Sequence, residues 1–183
     1  MSIVASFQNV SQAELKEVVE AFIAQEGLKG EPELHLNPAG DWQQGGFEAD
    51  TGLTGRKLIV DNYGPRIPIG GGCFSGKDAS KVDRSAAYMA RRIAVDYLRA
   101  RNAHEVFVRL AYAIGYDQPL ERTVVIDGVP EEIPVTTETI NVSPENGYNL
   151  TPRGIIETLD LRRPIYEETA RYGHFGHQFT WDK

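Results

Sequence analysis

The chain has 183 residues, of which 41% are hydrophobic and 25% charged, the make-up of a globular protein with one or two cores. A formal net charge of −7 argues against a general nucleic-acid or membrane binder, so any phosphate site has to be a local basic patch. The single Cys73 cannot close an internal disulfide, and His35, His104, His174 and His177 do not combine with it in a zinc-like spacing. No apolar run approaches the roughly 20 residues that span a bilayer and no signal-like segment opens the chain, so the expected compartment is the cytoplasm.

Ser2–Phe7 alternates as a short strand does, with Ile3, Ala5 and Phe7 on one face. Ser11 followed by Glu14 forms a capping-box pattern, and Leu15, Val18, Val19, Phe22 and Ile23 then recur at helical spacing, which predicts an amphipathic helix ending near Gly27. Leu34–Leu36 is a strand candidate stopped by Asn37-Pro38, before a loop-rich stretch punctuated by Gly40, Gly45, Gly46 and Gly52. The dominant helix is expected over Ser80–Leu98, where Val82, Ala86, Met89, Ala90, Ile93, Ala94 and Tyr97 make one apolar stripe. Val106–Ala113 and Thr123–Ile126 read as paired strands, with Asp127-Gly128 as a turn after the second. Pro130–Asn149 reads as irregular, with one short strand around Val135–Val142. Two further helices are expected to open at Thr151-Pro152 and at Pro164, because proline fits the first helical turn.

The segment Gly70–Asp83, GGGCFSGKDASKVD, places Lys77 and Lys81 four residues apart around the start of the dominant helix, behind a glycine-rich approach. Helix-terminal amides and two ammonium groups suit a polyphosphate, and glycines let the backbone come close to it. Arg56-Lys57 in GLTGRK is a second basic pair able to converge on the same charge. The spacing is not that of a Walker A loop, since Asp78 follows the lysine. Asp83 has two readings. As a hard carboxylate beside phosphate it suits magnesium, and as the last residue of Ser80-Lys81-Val82-Asp83 it suits a capping box. For the four basic residues the alternative is ordinary solvated surface charge.

The run GGGCFSGKDASKVDRSAAY closely resembles the signature of methionine adenosyltransferases (S-adenosylmethionine synthetases), and so do ADTGLTGRKLIVDNYG before it and AYAIG and LDLRRPIYEETARYGHFG after it. The first fifty residues, closing with LNPAG at Leu36–Gly40, resemble the end of the family's middle domain. The resemblance implies an α+β fold in which residues 1–49 end that middle domain as a partial unit and residues 50–183 form a carboxy-terminal domain of the β-α-β-β-α-β type.

Family members join methionine sulfur to the 5′ carbon of ATP and hydrolyse the released triphosphate to phosphate and diphosphate. By resemblance, Arg56, Lys57 and Lys77 contact phosphates, Asp83 holds magnesium, Lys81 and Asp50 place methionine, and Asp50 also touches the nucleoside. Asp41-Trp42 stands where the family usually has an arginine-phenylalanine pair. The indole keeps an adenine-stacking face while the aspartate removes a positive charge. Cys73 replaces an alanine next to the nucleotide and reads as a small buried hydrophobe, and Ile114 reads either as lining the methionine pocket or as core. The family's H-P-D-K and GAGDQG segments, with the catalytic histidine, a first magnesium aspartate and a potassium-binding glutamate, have no matching positions in this sequence. The expectation is a subunit of a split synthetase, inactive alone and completed by a separate chain that carries the amino-terminal half and its potassium site, in a two-plus-two hetero-oligomer. The alternatives are a non-catalytic regulatory or interaction subunit of a full-length synthetase, and a piece of a longer enzyme. Remodelling is expected around Pro130–Asn149, where the family's amphipathic helix is not visible.

Overall fold

The computed structural model describes residues 2–49, 67, 72–171, 173–176 and 178–183. By internal contacts the chain divides into two units, Met1–Leu53 with Tyr112–Tyr116, and Thr54–Ala111 with Asp117–Lys183.

In the first unit, β1 (Ser2–Ala5) and β2 (Glu33–Leu36) pair in parallel and are joined through α1 (Gln12–Gln25), the kind of long connection a parallel pair requires. The Ser11 capping box forms in full: the Ser11 hydroxyl accepts from the Glu14 amide while the Glu14 carboxylate accepts from the Ser11 amide. Leu15 and Val19 bury the helix against the unit, whereas Val18 and Phe22, one step round, stay more than half exposed. Asn37 ends β2 at φ 39°, a left-handed position that asparagine tolerates. Its buried side chain accepts from the Phe7 amide at 2.9 Å and donates to the Val10 carbonyl at 3.0 Å, tying the exits of β1 and β2 together.

The second unit is built on α2 (Val82–Arg101), packed against the antiparallel sheet of β3 (Val106–Ala111), β4 (Glu121–Ile126) and β5 (Val129–Glu132). The register sets Val108 opposite Val124 and Phe107 opposite Val125, so successive pairs lie on opposite faces. Val124 is fully buried, which marks the covered face. Asp127 and Gly128 make the two-residue connection of β4 to β5, both at positive φ as the twist-matched hairpin turn demands. The Asp127 carboxylate also accepts from the amides of His104 and Glu105, holding the start of β3. The helix buries more than its expected stripe, because Arg84, Ser85, Tyr88 and Val95 are buried beside Met89, Ile93 and Tyr97. It is wrapped by chain on several sides. Asn102 at φ 48° closes it in the left-handed conformation.

Two expectations are corrected. No strand forms over Val135–Val142: the ladder strand is β5, which comes earlier, and Val135 makes only an isolated bridge to Tyr148. Pro134 and Pro144 interrupt any longer ladder in that stretch. The helix expected to open at Pro164 is the short α4 (Tyr166–Thr169), whereas α3 (Pro152–Thr158) starts as expected, with Thr151 capping the Gly154 amide. No helix forms between residues 130 and 149. Among the described residues none of the helices is long and apolar enough to cross a membrane.

Candidate active site

The loop leading into α2 is anchored by apolar side chains and bent by glycines. Cys73 and Phe74 are buried, and the Cys73 thiol lies 3.9 Å from the Ser75 carbonyl, a packing position with no sign of a nucleophile's surroundings. Gly76 turns the chain at φ 85°, after which the Lys77 amide donates to the Phe74 carbonyl at 3.2 Å. A second turn follows, in which Asp78 accepts from the Ser80 amide at 2.8 Å and the Lys81 amide donates to the Asp78 carbonyl at 3.2 Å. Hydrogen bonding from the Ser80 side chain, and then from its amide, holds the Asp78 carboxyl below its ordinary range.

This geometry removes the capping-box reading of Asp83. The residue preceding the helix is Lys81, in an extended conformation and without a side-chain cap, so Asp83 is one turn position too early to close a capping box with Ser80. Instead its carboxylate receives the Lys77 ammonium at 2.6 Å. The pair is accessible, with 26% of the Lys77 side chain and 45% of the Asp83 side chain exposed, so it adds at most about 1 kcal/mol to stability and can open to a ligand. A methyl group on Gly72 would overlap Oδ1, Cβ and Cγ of Asp83, which makes the last glycine of the triplet a requirement of the carboxylate's position. Lys81 sits beside Asp78, whose carboxyl feels its charge.

Behind the loop lies a buried polar chain. Arg84, 3% exposed, donates from Nη1 to the Lys77 carbonyl at 2.8 Å, from Nη2 to Thr169 Oγ1 at 2.9 Å and from Nε to the Tyr88 hydroxyl at 3.0 Å. Tyr88 meets His174 Nδ1 at 2.6 Å, and His174 Nε2 meets Ser75 Oγ at 3.4 Å. Since Tyr88 accepts from Arg84, its own proton points to Nδ1, which leaves His174 neutral with its proton on Nε2. Burial, reinforced by the Arg84 charge, pulls the His174 pKa down to about 4. Tyr88 is stacked on Trp181 at 3.9 Å between ring centres, and the Trp181 indole donates to the His174 carbonyl.

In the first unit, Asp41 accepts from Asn37 Nδ2 at 2.8 Å, and the Trp42 carbonyl accepts from the Asn9 amide while its indole is 38% exposed. Ile114 is 78% exposed on the turn after β3, which removes the reading of it as core. The turn is fixed by Gly115, at φ 96°, where a side chain would collide with the Pro38 and Ala39 backbone. The Gly115 turn therefore packs against the Pro38-Ala39 backbone. Asp50, Arg56 and Lys57 lie outside the described residues. Among the described residues no group of three or more histidine, cysteine or carboxylate side chains is placed to hold a metal. A lone exposed Asp83 fits magnesium as one ligand of several, because that ion keeps waters and phosphate oxygens as its other ligands.

The profile of the S-adenosylmethionine synthetase C-terminal domain matches residues 44–183. The chain belongs to the S-adenosylmethionine synthetase family. It is 44% identical to an S-adenosylmethionine synthase of Nitratiruptor sp., with 97% of this chain and 46% of that protein covered. Against that of Pelagibacter ubique it is 46% identical, with all of this chain and 50% of that one covered. A solved S-adenosylmethionine synthetase from Campylobacter jejuni superposes with a TM-score of 0.56 at 32% identity, over all of this chain and 50% of that one. The chain thus spans about half the length of the synthetases it matches, and its α+β architecture is the synthetase fold. Within this family member, the Lys77 ammonium and the Asp83 carboxylate form an ion pair at 2.6 Å. Arg84, Tyr88 and His174 were not singled out from the sequence. The available signal was a guanidinium four residues before a tyrosine on the dominant helix.

Proposed function

We propose that this chain supplies the carboxy-terminal half of a methionine adenosyltransferase, which makes S-adenosylmethionine from ATP and methionine with release of phosphate and diphosphate. A chain with the amino-terminal half completes it. The observation that carries the reading is the Lys77–Asp83 pair at the glycine-bounded entrance to α2. An ammonium and a carboxylate that hold each other are the two groups a magnesium polyphosphate would separate, the first toward phosphate oxygen and the second toward the metal.

Attack of the methionine sulfur at the 5′ carbon leaves negative charge on the triphosphate. Catalysis then depends on alignment and on fixed positive groups near that charge. Lys77 holds the leaving triphosphate, with Arg56 and Lys57 in the same role. Asp50 and Lys81 orient methionine, Asp50 reaches the nucleoside too, and the exposed Ile114 offers an apolar contact for methionine. The Trp42 indole stacks on adenine, flanked by Asp41, and Cys73 lies next to the nucleotide without reacting. Bound magnesium, held in part by Asp83, would neutralise phosphate charge, and potassium would be held by the other chain. The active form is a two-plus-two assembly in the cytoplasm.

The test is to purify the chain alone and together with an amino-terminal synthetase half, then measure S-adenosylmethionine and phosphate formation. Activity confined to the mixture, and falling at least about 100-fold with Lys77→Ala or Asp83→Asn, is the expected outcome. Full activity of the Lys77→Ala mixture would overturn the assignment of that residue. A stable but inactive complex would favour a regulatory subunit.

A further inference from the structure

Arg84 is a buried cation whose partners, among the described residues, are all neutral: the Tyr88 hydroxyl, the Lys77 carbonyl, Thr169 Oγ1 and the Tyr166 ring, which lies 4.2 Å below the guanidinium carbon. A guanidinium withdrawn from water without a carboxylate is expensive, and an apolar side chain of similar volume would pack this helix face at lower cost. Stability alone therefore does not account for an arginine here. Its main-chain partner is informative, because Lys77 is the residue whose ammonium reaches Asp83. Through Tyr88 and His174 the same network reaches Ser75, so the loop is gripped on both sides of Gly76, its left-handed hinge.

We propose that Arg84 is a positioning residue, with His174 as its second anchor, that fixes the Ser75–Lys77 turn so that the Lys77 ammonium is presented to a polyphosphate. The planar fork does this in a way lysine cannot, since three donors leave in fixed directions toward α2, α4 and the loop. Its charge also adds to the positive potential behind the turn, which favours a phosphate group beside Lys77. This rests on the reading of Lys77 as a phosphate contact.

The experiment compares the wild-type chain with Arg84→Lys, which keeps the charge and loses the fork, and with the milder Thr169→Val. Amide hydrogen exchange is read on the full chain, and inhibition by inorganic tripolyphosphate on the assembled enzyme. Arg84→Lys is expected to speed exchange at Lys77 and Lys81 by about tenfold or more relative to the β4 amides. It is also expected to raise the tripolyphosphate inhibition constant by about tenfold with the KM for methionine unchanged. Thr169→Val changes both in the same direction by less, and decides the matter if Arg84→Lys does not fold. Wild-type exchange at the loop, or equal acceleration at every amide, would overturn the proposal. If tripolyphosphate does not inhibit the wild-type assembly, the phosphate reading of Lys77 fails, and with it the presentation role, whatever the exchange shows. Loop-selective exchange together with wild-type inhibition in both variants likewise overturns the presentation role, while leaving the phosphate reading intact.

Discussion

His174 ties stability to pH in a window where few other groups titrate. It is 1% exposed, its Nδ1 accepts from Tyr88, and its pKa is lowered from 6.5 to about 4. A proton on Nδ1 would face a hydroxyl already committed as a donor, next to the Arg84 cation. The unfolded chain therefore takes up a proton at a pH where the folded one does not, and the stabilisation is complete above 6.5 and lost as the pH falls toward 4. At ~1.36 kcal/mol per pH unit the full interval corresponds to roughly 3 kcal/mol, of which about 2 kcal/mol disappears between pH 7 and pH 5. Urea unfolding at the two pH values, for wild type and His174→Asn, isolates this contribution, because all other carboxylates and histidines are common to both. Wild type should lose about 2 kcal/mol more than the variant on acidification, which for a chain of this size is a difference of about 4–8 °C in melting temperature. Equal losses in the two proteins, or an NMR titration midpoint for His174 at 6.5 or above, would refute the reasoning.

Gly72→Ala should displace the Asp83 carboxylate, lowering stability by about 1–3 kcal/mol and kcat/KM of the assembled enzyme by about 100-fold, as read by thermal melts and steady-state kinetics. A double-mutant cycle of Lys77→Ala and Asp83→Asn should give a coupling in folding stability under about 1 kcal/mol, since the pair is exposed, while each single change abolishes most activity. Asn37→Ala should cost about 2–3 kcal/mol by leaving the Phe7 amide and Val10 carbonyl without their partner, and the loss should show as selective exchange of amides in β1 and β2.

The capping box at Ser11, the turn at Asp127-Gly128 and the helix start at Thr151-Pro152 were legible because each is local: the residues that make it lie within three positions of each other. The ion pair of Lys77 with Asp83 was not legible, because the sequence neighbours of Asp83 satisfied a cap pattern that the actual helix start, one residue later, does not use. Arg84 and His174 were missed for a different reason. Their partners are far away in the chain, and a helix position that holds an arginine reads as solvent-facing until the tail is seen to cover it. The same holds for Tyr112–Tyr116, which follows a strand of the second unit in sequence and belongs by contacts to the first.

The bonds that shape the loop before α2 also set when it can form. Arg84 meets Thr169 across 85 residues, Tyr88 meets His174 across 86, and Ser75 meets His174 across 99. Contacts closing loops of that size are entropically slow, whereas α2 and the β3–β5 meander are local and fast. Refolding should therefore pass first through a helix and sheet without an organised Ser75–Lys77 turn. The kinetic nucleus would lie elsewhere, so substitutions at His174 or Thr169 should chiefly speed unfolding and leave the folding rate almost unchanged.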